Sequence, residues 1–310
     1  MAGISDQPMR QICQHFGAGL TTTEMITSQK TLWHTEKSLL RFMLPKNQQI
    51  PHSVQILGSD PKLMAEAAQA VERQGAQIID INMGCPARKV CKKLAGSALL
   101  EDPSLVNNIL SAITKAVAIP VTLKIRTGIS PTAKNALLIG KIAEDNGIAL
   151  LTIHGRTRTC RFNGSAEYDT IAEVVENLSI PVIANGDIVS VNDARNVLDY
   201  TKAAGIMIGR GIRGQPWLIK ELTDNLQRRQ MKPFSFSDKH NVMKLHLRLL
   251  HEFYGEHKGL QIARKHIGWY LERLNAPNQL KQTFNYFLLK VDQEQFIDEL
   301  PSLISRGQVA

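Results

Sequence analysis

The sequence has no apolar run near the roughly 18 residues that a membrane-spanning helix needs. Its first residues, Met-Ala-Gly-Ile-Ser-Asp, have no basic stretch followed by an apolar one, so they do not read as a signal peptide. Cysteine is scarce. Cys13, Cys85, Cys91 and Cys160 form no CxxC pair, which argues against zinc and against a disulfide framework. There is no low-complexity tract and no long internal repeat. No membrane partner and no metal are expected, and a reducing cytoplasm suits such a chain.

What is present is ordinary in bulk and unusual in charge. The 310 residues are 43% hydrophobic and 21% charged, as in a globular protein of one large domain, or one large and one small. The net charge is +9, which favours an anionic partner, of which nucleic acid is the commonest large one. A basic enzyme without such a partner is the alternative. The charge is not spread evenly. Between Lys239 and Lys290, nine Lys or Arg face three Glu, about two-thirds of the net charge, and five of the nine histidines lie there too.

Short β-branched apolar runs recur at Leu20–Met25, Ser53–Leu57, Ile78–Met83, Pro120–Ile125, Leu150–His154, Pro181–Asn185 and Gly205–Ile208. Each is followed by Gly, Asn, Asp or Arg and then by a helical pattern. One such helix is Ser59 to Gln74, with Ser59 or Asp60 as cap and Pro61 in its first position. Thr132 to Asn146 and Asn192 to Tyr200 are others. Strands about 25 to 40 residues apart suit βα units. Continuous apolar runs suit a parallel sheet buried on both faces. Polar residues cluster at the strands' C-terminal ends, as in a TIM (β/α)8 barrel; a doubly wound open sheet is the alternative. Seven such strands are legible rather than eight. Met1-Ala2-Gly3-Ile4 reads as the tail of a first strand whose body lies upstream or is missing.

The pattern changes near Pro233-Phe234-Ser235-Phe236-Ser237-Asp238, where Ser237 or Asp238 can cap a helix. Beyond it the spacing predicts helices only. Val242, Leu245, Leu249 and Phe253 share one face, Ile262, His266, Trp269 and Tyr270 another, and Asp292 to Leu303 is acidic. The expected organisation is a barrel over residues 1–234 and a small all-α domain over 235–310.

Cys85, in Asn82-Met83-Gly84-Cys85-Pro86, ends an apolar strand where barrel enzymes carry catalytic groups. A thiol there can be acid, base or nucleophile; otherwise it is a buried structural cysteine. Cys91 reads as a bystander. Lys124 stands within an apolar strand, which suggests a fixed anion, or else a side chain snorkelling from the barrel end. His154 ends the next strand at the level of Lys124 and Cys85. Arg156 and Arg158 can clamp phosphates or be solvated loop charge. Asn185-Gly186-Asp187 and Gly209-Arg210-Gly211 end the last two strands, where barrels often hold a phosphate on backbone N–H groups. Gly209, Gly211 and Gly214 match G-x-G-x-x-G formally, but no second strand completes a βαβ unit. Gln55 can bond a flavin edge or be a satisfied core amide.

Taken together, VQILGSDP, DINMGCPARKVCKKLAGSALL, VTLKIRTG, TIHGRTR, VIANGDI, GIMIGRG with QPWLI, and ARKHIGWYL resemble the tRNA-dihydrouridine synthases, bacterial B-type, over essentially the whole chain. The resemblance implies an FMN-binding TIM barrel followed by a helical tRNA-binding domain. It implies reduction of the C5–C6 double bond of a D-loop uridine, with NADPH (or NADH) as reductant. By position, Cys85 would be the catalytic acid. Gln55, Lys124, Asn185, Gly186, Asp187, Gly209 and Arg210 would bind FMN, with His154 close to it. Arg264, Lys265, His266 and Trp269 would face tRNA. A monomer is expected. The departure from the family is at the front, where members carry Ala-Pro-Met-Ala-Gly at the end of a full first strand. A flavin reductase of a small enone or pyrimidine, and an RNA-binding protein without catalysis, are the competing readings.

Overall fold

The computed structural model describes residues 1–43, 50–230 and 232–307. The chain forms two compact units: Met1–Asp6 with Gly19–Gly209, and Gln7–Ala18 with the chain from Arg210 onward. The division falls at 209/210 rather than 234/235, and the helical unit also takes a segment from near the start of the chain.

The first unit is built on one parallel sheet. Its strands are β1 (Thr21–Thr22), β2 (Ile26–Thr27), β3 (His52–Leu57), β4 (Ile78–Asn82), β5 (Val121–Arg126), β8 (Leu150–His154), β9 (Val182–Asn185) and β10 (Gly205–Met207); β6 (Gly128–Ser130) and β7 (Ala133–Lys134) form a separate antiparallel pair. The spatial order is β1-β3-β4-β5-β8-β9-β10, with β2 also on β3. Sequence order and spatial order run in the same direction throughout. A doubly wound sheet would reverse at a switch point, so the winding is that of a (β/α) barrel. Among the described residues no ladder joins β10 back to β1, and the barrel stays open there. Met1–Ser5 is a turn rather than a strand tail, with Ile4 N and Ser5 N both donating to Met1 O.

The expected strand Leu20–Met25 keeps only the short ladder β1, and β2 begins just beyond it. Between them Thr23 Oγ1 accepts from Gln55 N at 3.0 Å, so a side chain takes the place of a ladder carbonyl. Helices link the strands. They are α2 (Glu36–Phe42) before β3, α3 (Pro61–Arg73) before β4, α4 (Arg88–Cys91) and α5 (Pro103–Ala116) before β5, α6 (Ala136–Asp145) before β8, α7 (Asp169–Asn177) before β9 and α8 (Val191–Thr201) before β10. Asp60 caps α3 through Leu63 N and Asp102 caps α5 through Leu105 N, each with proline in the first turn. Met64, Ala67, Ala68 and Val71 of α3 are buried at helical spacing. The expected helix from Thr132 begins at Ala136, because its first residues pair as β7.

The strands are not apolar on both faces. Register aligns Gln55 with Asp80, Asp80 with Thr122, Asn82 with Lys124, Lys124 with Thr152, and Arg126 with His154. Residues paired in a ladder share a face, and alternate residues share it too. One face is therefore a polar field. The other carries Ile56, Ile81, Leu123, Ile125, Leu151 and Ile153, all fully buried.

The second unit is helical: α1 (Gln7–His15), α9 (Leu218–Leu226), α10 (Phe236–Arg273), α11 (Asn278–Tyr286) and α12 (Lys290–Gly307). Ser235, not Ser237, caps α10. Its hydroxyl accepts from Asp238 N while the Asp238 carboxylate accepts from Ser235 N, a capping box. Gly255 breaks α10 at φ 74°. The buried face is Val242, Met243, His246, Leu247 and Leu250; of the expected stripe, Leu245, Leu249 and Phe253 are only half-buried. These pack with Ile12, Phe16, Trp217, Ile267, Tyr270 and Phe284 in one core.

Two histidines lie in that core. His246 and His266 are fully buried with ring centroids 4.7 Å apart, and His246 Nδ1 lies 3.0 Å from the Tyr270 hydroxyl. Burial keeps the tyrosine protonated, so its O–H donates and His246 Nδ1 accepts. Burial, with Lys265 nearby, pushes His246 down to about 3. Burial likewise lowers His266, helped by His246 and Lys265. Both rings are neutral when folded and ordinary when unfolded. Their contribution is therefore complete above about pH 6.5 and is lost as pH falls toward the folded values. For His246 the expected loss is about 1.4 kcal/mol per pH unit below 6.5. Urea unfolding between pH 7.5 and 5 checks this. A His246→Gln variant with the same pH slope as the parent would refute it.

Candidate active site

The polar field is densest at the C-terminal ends of β3, β4, β5, β8 and β9. Gln55 is buried, and its amide Nε2 donates to Asp80 Oδ2 at 2.6 Å. Asp80 Oδ1 accepts from Thr122 Oγ1 at 2.6 Å. Asn82 Nδ2 donates to Gln55 Oε1 at 2.7 Å, and Asn82 Oδ1 accepts from Cys85 N at 2.9 Å and Gly84 N at 3.2 Å. Asparagine is suited to this place, because its side chain can cap the two following N–H groups.

Cys85 follows on the loop after β4 and is half-buried. Its carbonyl accepts from Ser97 N at 3.1 Å and Ser97 Oγ at 2.9 Å. Gly96 sits behind it at φ +63°, where a Cβ would come within 2.7 Å of Cys85 O. A side chain at 96 would push the thiol loop away. Burial raises the Cys85 thiol above its ordinary value, against smaller pulls from the Ala87 N–H and Arg126. At neutral pH it is a protonated S–H, suited to giving a proton rather than to acting as a thiolate.

Lys124 Nζ donates to Asn185 Oδ1 at 3.0 Å, and Asn185 Nδ2 donates to Met207 O at 2.7 Å, so one amide joins β5, β9 and β10. Burial pulls Lys124 down to about 8, with the Asp80 carboxylate opposing that fall. It remains a cation at pH 7. His154 faces Lys124, Arg126 and Arg156. Burial first, then these three charges, push it down to about 2. The ring is neutral, and its Nδ1 is buried with no hydrogen-bond partner among the described residues. Gly186, at φ +131°, packs so that a Cβ would meet Ala166 Cβ at 2.8 Å. Asp187 accepts from Ala166 N and from both terminal nitrogens of Arg156, a bidentate pair. That carboxylate is occupied in holding the loop.

Gly209 ends the first unit, where a Cβ would lie 3.9 Å from Asn185 Nδ2. Arg210 is exposed and opens the second unit. Gln55, Lys124, His154, Asn185 and Gly186 thus share one neighbourhood, with Cys85 on the adjoining loop. Arg156 is buried on Asp187, and Arg158 pairs with Glu101; each has a carboxylate partner. His266 is fully buried, against the rings of His246 and Trp269, and does not face outward. Trp269 does reach the surface of its unit, with Arg213 at 5.1 Å and Lys265 at 5.7 Å over its ring.

Reasoning from sequence passed over Asp80, Thr122 and Arg126. The alternation of polar residues within VTLKIR was the available signal. Arg126 is buried; its Nε donates to Gly84 O at 2.8 Å, and its Nη1 to Thr157 O at 2.9 Å and Arg161 O at 2.8 Å.

The sequence profile of the dihydrouridine synthases (Dus) matches residues 1–305. The chain belongs to the dihydrouridine synthase family. It is 54% identical over 287 residues to tRNA-dihydrouridine synthase B of Pasteurella multocida, covering 92% of this chain and 86% of that protein. Similarity to the B enzyme of Shewanella oneidensis is 50% over 305 residues, covering 97% and 94%. For that of Escherichia coli K12 it is 52% over 287 residues, covering 92% and 89%. Dihydrouridine synthases are oxidoreductases, and this chain is placed among them. Among solved structures, histamine dehydrogenase from Rhizobium sp. 4-9 superposes with a TM-score of 0.54 at 14% identity, covering 80% of this chain and 46% of that one. The 6-hydroxypseudooxynicotine amine oxidase of Pseudomonas geniculata N1 gives 0.55 at 13% identity, covering 73% and 45%. The chain spans under half the length of each, and at such identities they share the barrel fold alone.

Proposed function

We propose that the protein is an FMN-dependent tRNA-dihydrouridine synthase that reduces the C5–C6 double bond of a D-loop uridine, with NADPH (or NADH) as electron source and Cys85 as proton donor. The observation that carries this reading is the protonated Cys85 thiol on a loop anchored beside the polar strand ends. The residues there fit a flavin. Lys124 is a cation suited to the electron-rich N1/O2 edge, and Gln55 supplies an amide. The neutral His154 offers a buried nitrogen that lacks a partner among the described residues. Asn185, Gly186, Asp187, Gly209 and Arg210 would hold the phosphate end, Asp187 through its backbone because its carboxylate is engaged by Arg156. Bound FMN would supply hydride to C6 of the uracil ring. Cys85 would protonate C5 from the opposite face, and its raised pKa keeps that proton available at neutral pH.

The helical part of the chain beyond residue 235, which belongs to the unit that opens at Arg210, would hold tRNA through its concentrated positive charge, with Arg264, Lys265 and Trp269 on its surface. The target base must leave its stack, at a cost of a few kcal/mol. The reading places the protein in the cytoplasm as a monomer. Similarity to B-type enzymes and the basic helical domain favour tRNA over a small pyrimidine. The test is the visible spectrum of the purified protein, followed by NADPH-driven dihydrouridine formation on unmodified tRNA. A bound flavin and dihydrouridine in the D-loop are expected. Equal efficiency on free uridine would move the reading to a small-molecule reductase, and a protein that neither binds FMN nor acts on tRNA would end it.

A further inference from the structure

We infer that Asp80 is a positioning residue for the chemistry at Cys85: its carboxylate sets the direction of a hydrogen-bond chain that ends on the Cys85 backbone N–H. This rests on the proposed role of Cys85 as the acid. The chain is short and fully placed. Register puts Gln55, Asp80 and Thr122 in one row across β3, β4 and β5, on the same face as Asn82, two residues further along β4. Burial raises Asp80, against the hydrogen bonds from Gln55 and Thr122 and the Lys124 charge, which favour the carboxylate; a carboxylate only accepts, and both Asp80 oxygens do so, from Thr122 Oγ1 and Gln55 Nε2. Gln55 must therefore turn its NH2 toward Asp80 and its oxygen toward Asn82. Asn82 must answer with its own NH2, at 2.7 Å, which leaves its oxygen for Cys85 N. The second contact of Asn82 Nδ2, with the Met25 sulfur at 3.8 Å, agrees with that orientation. Either amide could flip by itself; an acceptor-only group at the head of the row removes the choice. Asp80 reaches the Cys85 loop only through Gln55 and Asn82.

A charge swap tests the direction. Asp80→Asn weakens the choice at the head of the row. Asn82→Asp sets an acceptor against Gln55 Oε1. Together they move the carboxylate to the other end, where it can accept from both Gln55 Nε2 and Cys85 N while Gln55 Oε1 accepts from Asn at 80. The readouts are hydrogen exchange of the Cys85 amide and iodoacetamide alkylation of the Cys85 peptide followed by mass spectrometry. Flavin content and thermal unfolding report folding. Each single variant is expected to exchange and alkylate roughly tenfold faster, as for loss of one net buried hydrogen bond. The double variant should return to within about threefold of the parent. Unchanged Cys85 exchange in Asp80→Asn would overturn the inference, and so would a double variant as loose as the worse single one. Cys85→Ala turnover tests the role of the thiol separately. If that variant stays active while the swap behaves as expected, the chain positions the loop and the acid lies elsewhere.

Discussion

On the proposed role of Cys85 as the acid, Cys85→Ala is expected to bind flavin like the parent and to lose roughly 100- to 10,000-fold in turnover on tRNA, the usual range for removing a general acid. The thiol itself meets only the Ala87 N–H on its own loop; the loop is held through backbone groups, by Asn82 Oδ1 on Cys85 N and by Ser97 on Cys85 O. Alanine leaves those bonds intact, so the effect falls on chemistry rather than folding. The pH profile supplies a second readout. An acid must be protonated to work, and burial raises the Cys85 thiol above its ordinary value. Turnover limited by proton donation should hold through neutral pH and fall only above the ordinary thiol range. A fall near pH 7, or full turnover in the alanine variant, would remove Cys85 from the mechanism.

The order of strands was legible because each βα unit repeats one local pattern: an apolar run, a polar strand end and a capped helix. Asp60 and Pro61 announce α3 directly. The strand breaks were not legible. Nothing in Leu20–Met25 says that the Thr23 hydroxyl will interrupt a ladder, since its partner, Gln55 N, is a distant backbone group. The site was half legible for a related reason. Cys85, Lys124 and His154 stand out as polar groups at apolar strand ends. Asp80 and Thr122 sit inside the runs Ile78–Ile81 and Val121–Leu123, where only the pairing register across strands puts them in contact. The helical unit hides its face in the same way. The pattern of Val242, Leu245, Leu249 and Phe253 is a valid helical stripe, and Val242 does enter the core, yet the burial turns toward the neighbouring stripe of Met243, His246, Leu247 and Leu250. His246 and His266 join that core as neutral rings, which charge counting cannot foresee.

Arg126→Met carries the largest expected loss of stability at the site. The guanidinium donates to three backbone carbonyls on two loops: Gly84, next to Cys85, and Thr157 and Arg161 beyond β8. It also lies 5.6 Å from the centre of the Phe162 ring. No single neighbour can replace a planar fork that reaches three acceptors. Methionine fills much of the volume but leaves those carbonyls without their donors. Stranding one buried acceptor costs about 1–3 kcal/mol. Removing the cation gives some of this back, because burial already pulls Arg126 down to about 10. A net loss of roughly 3 kcal/mol follows, measurable by urea unfolding of the flavin-loaded protein. Turnover should fall further than stability predicts, by about a hundredfold, since releasing Gly84 displaces the Cys85 loop, and a displacement near 1 Å is enough for such a loss. Arg126→Lys separates charge from geometry. Lysine keeps the positive charge beside Cys85 but is a point donor that cannot span both loops. It should recover little of the stability or the turnover. If Lys restored both, the contribution of Arg126 would be its charge, and the loops would be held by something other than the fork.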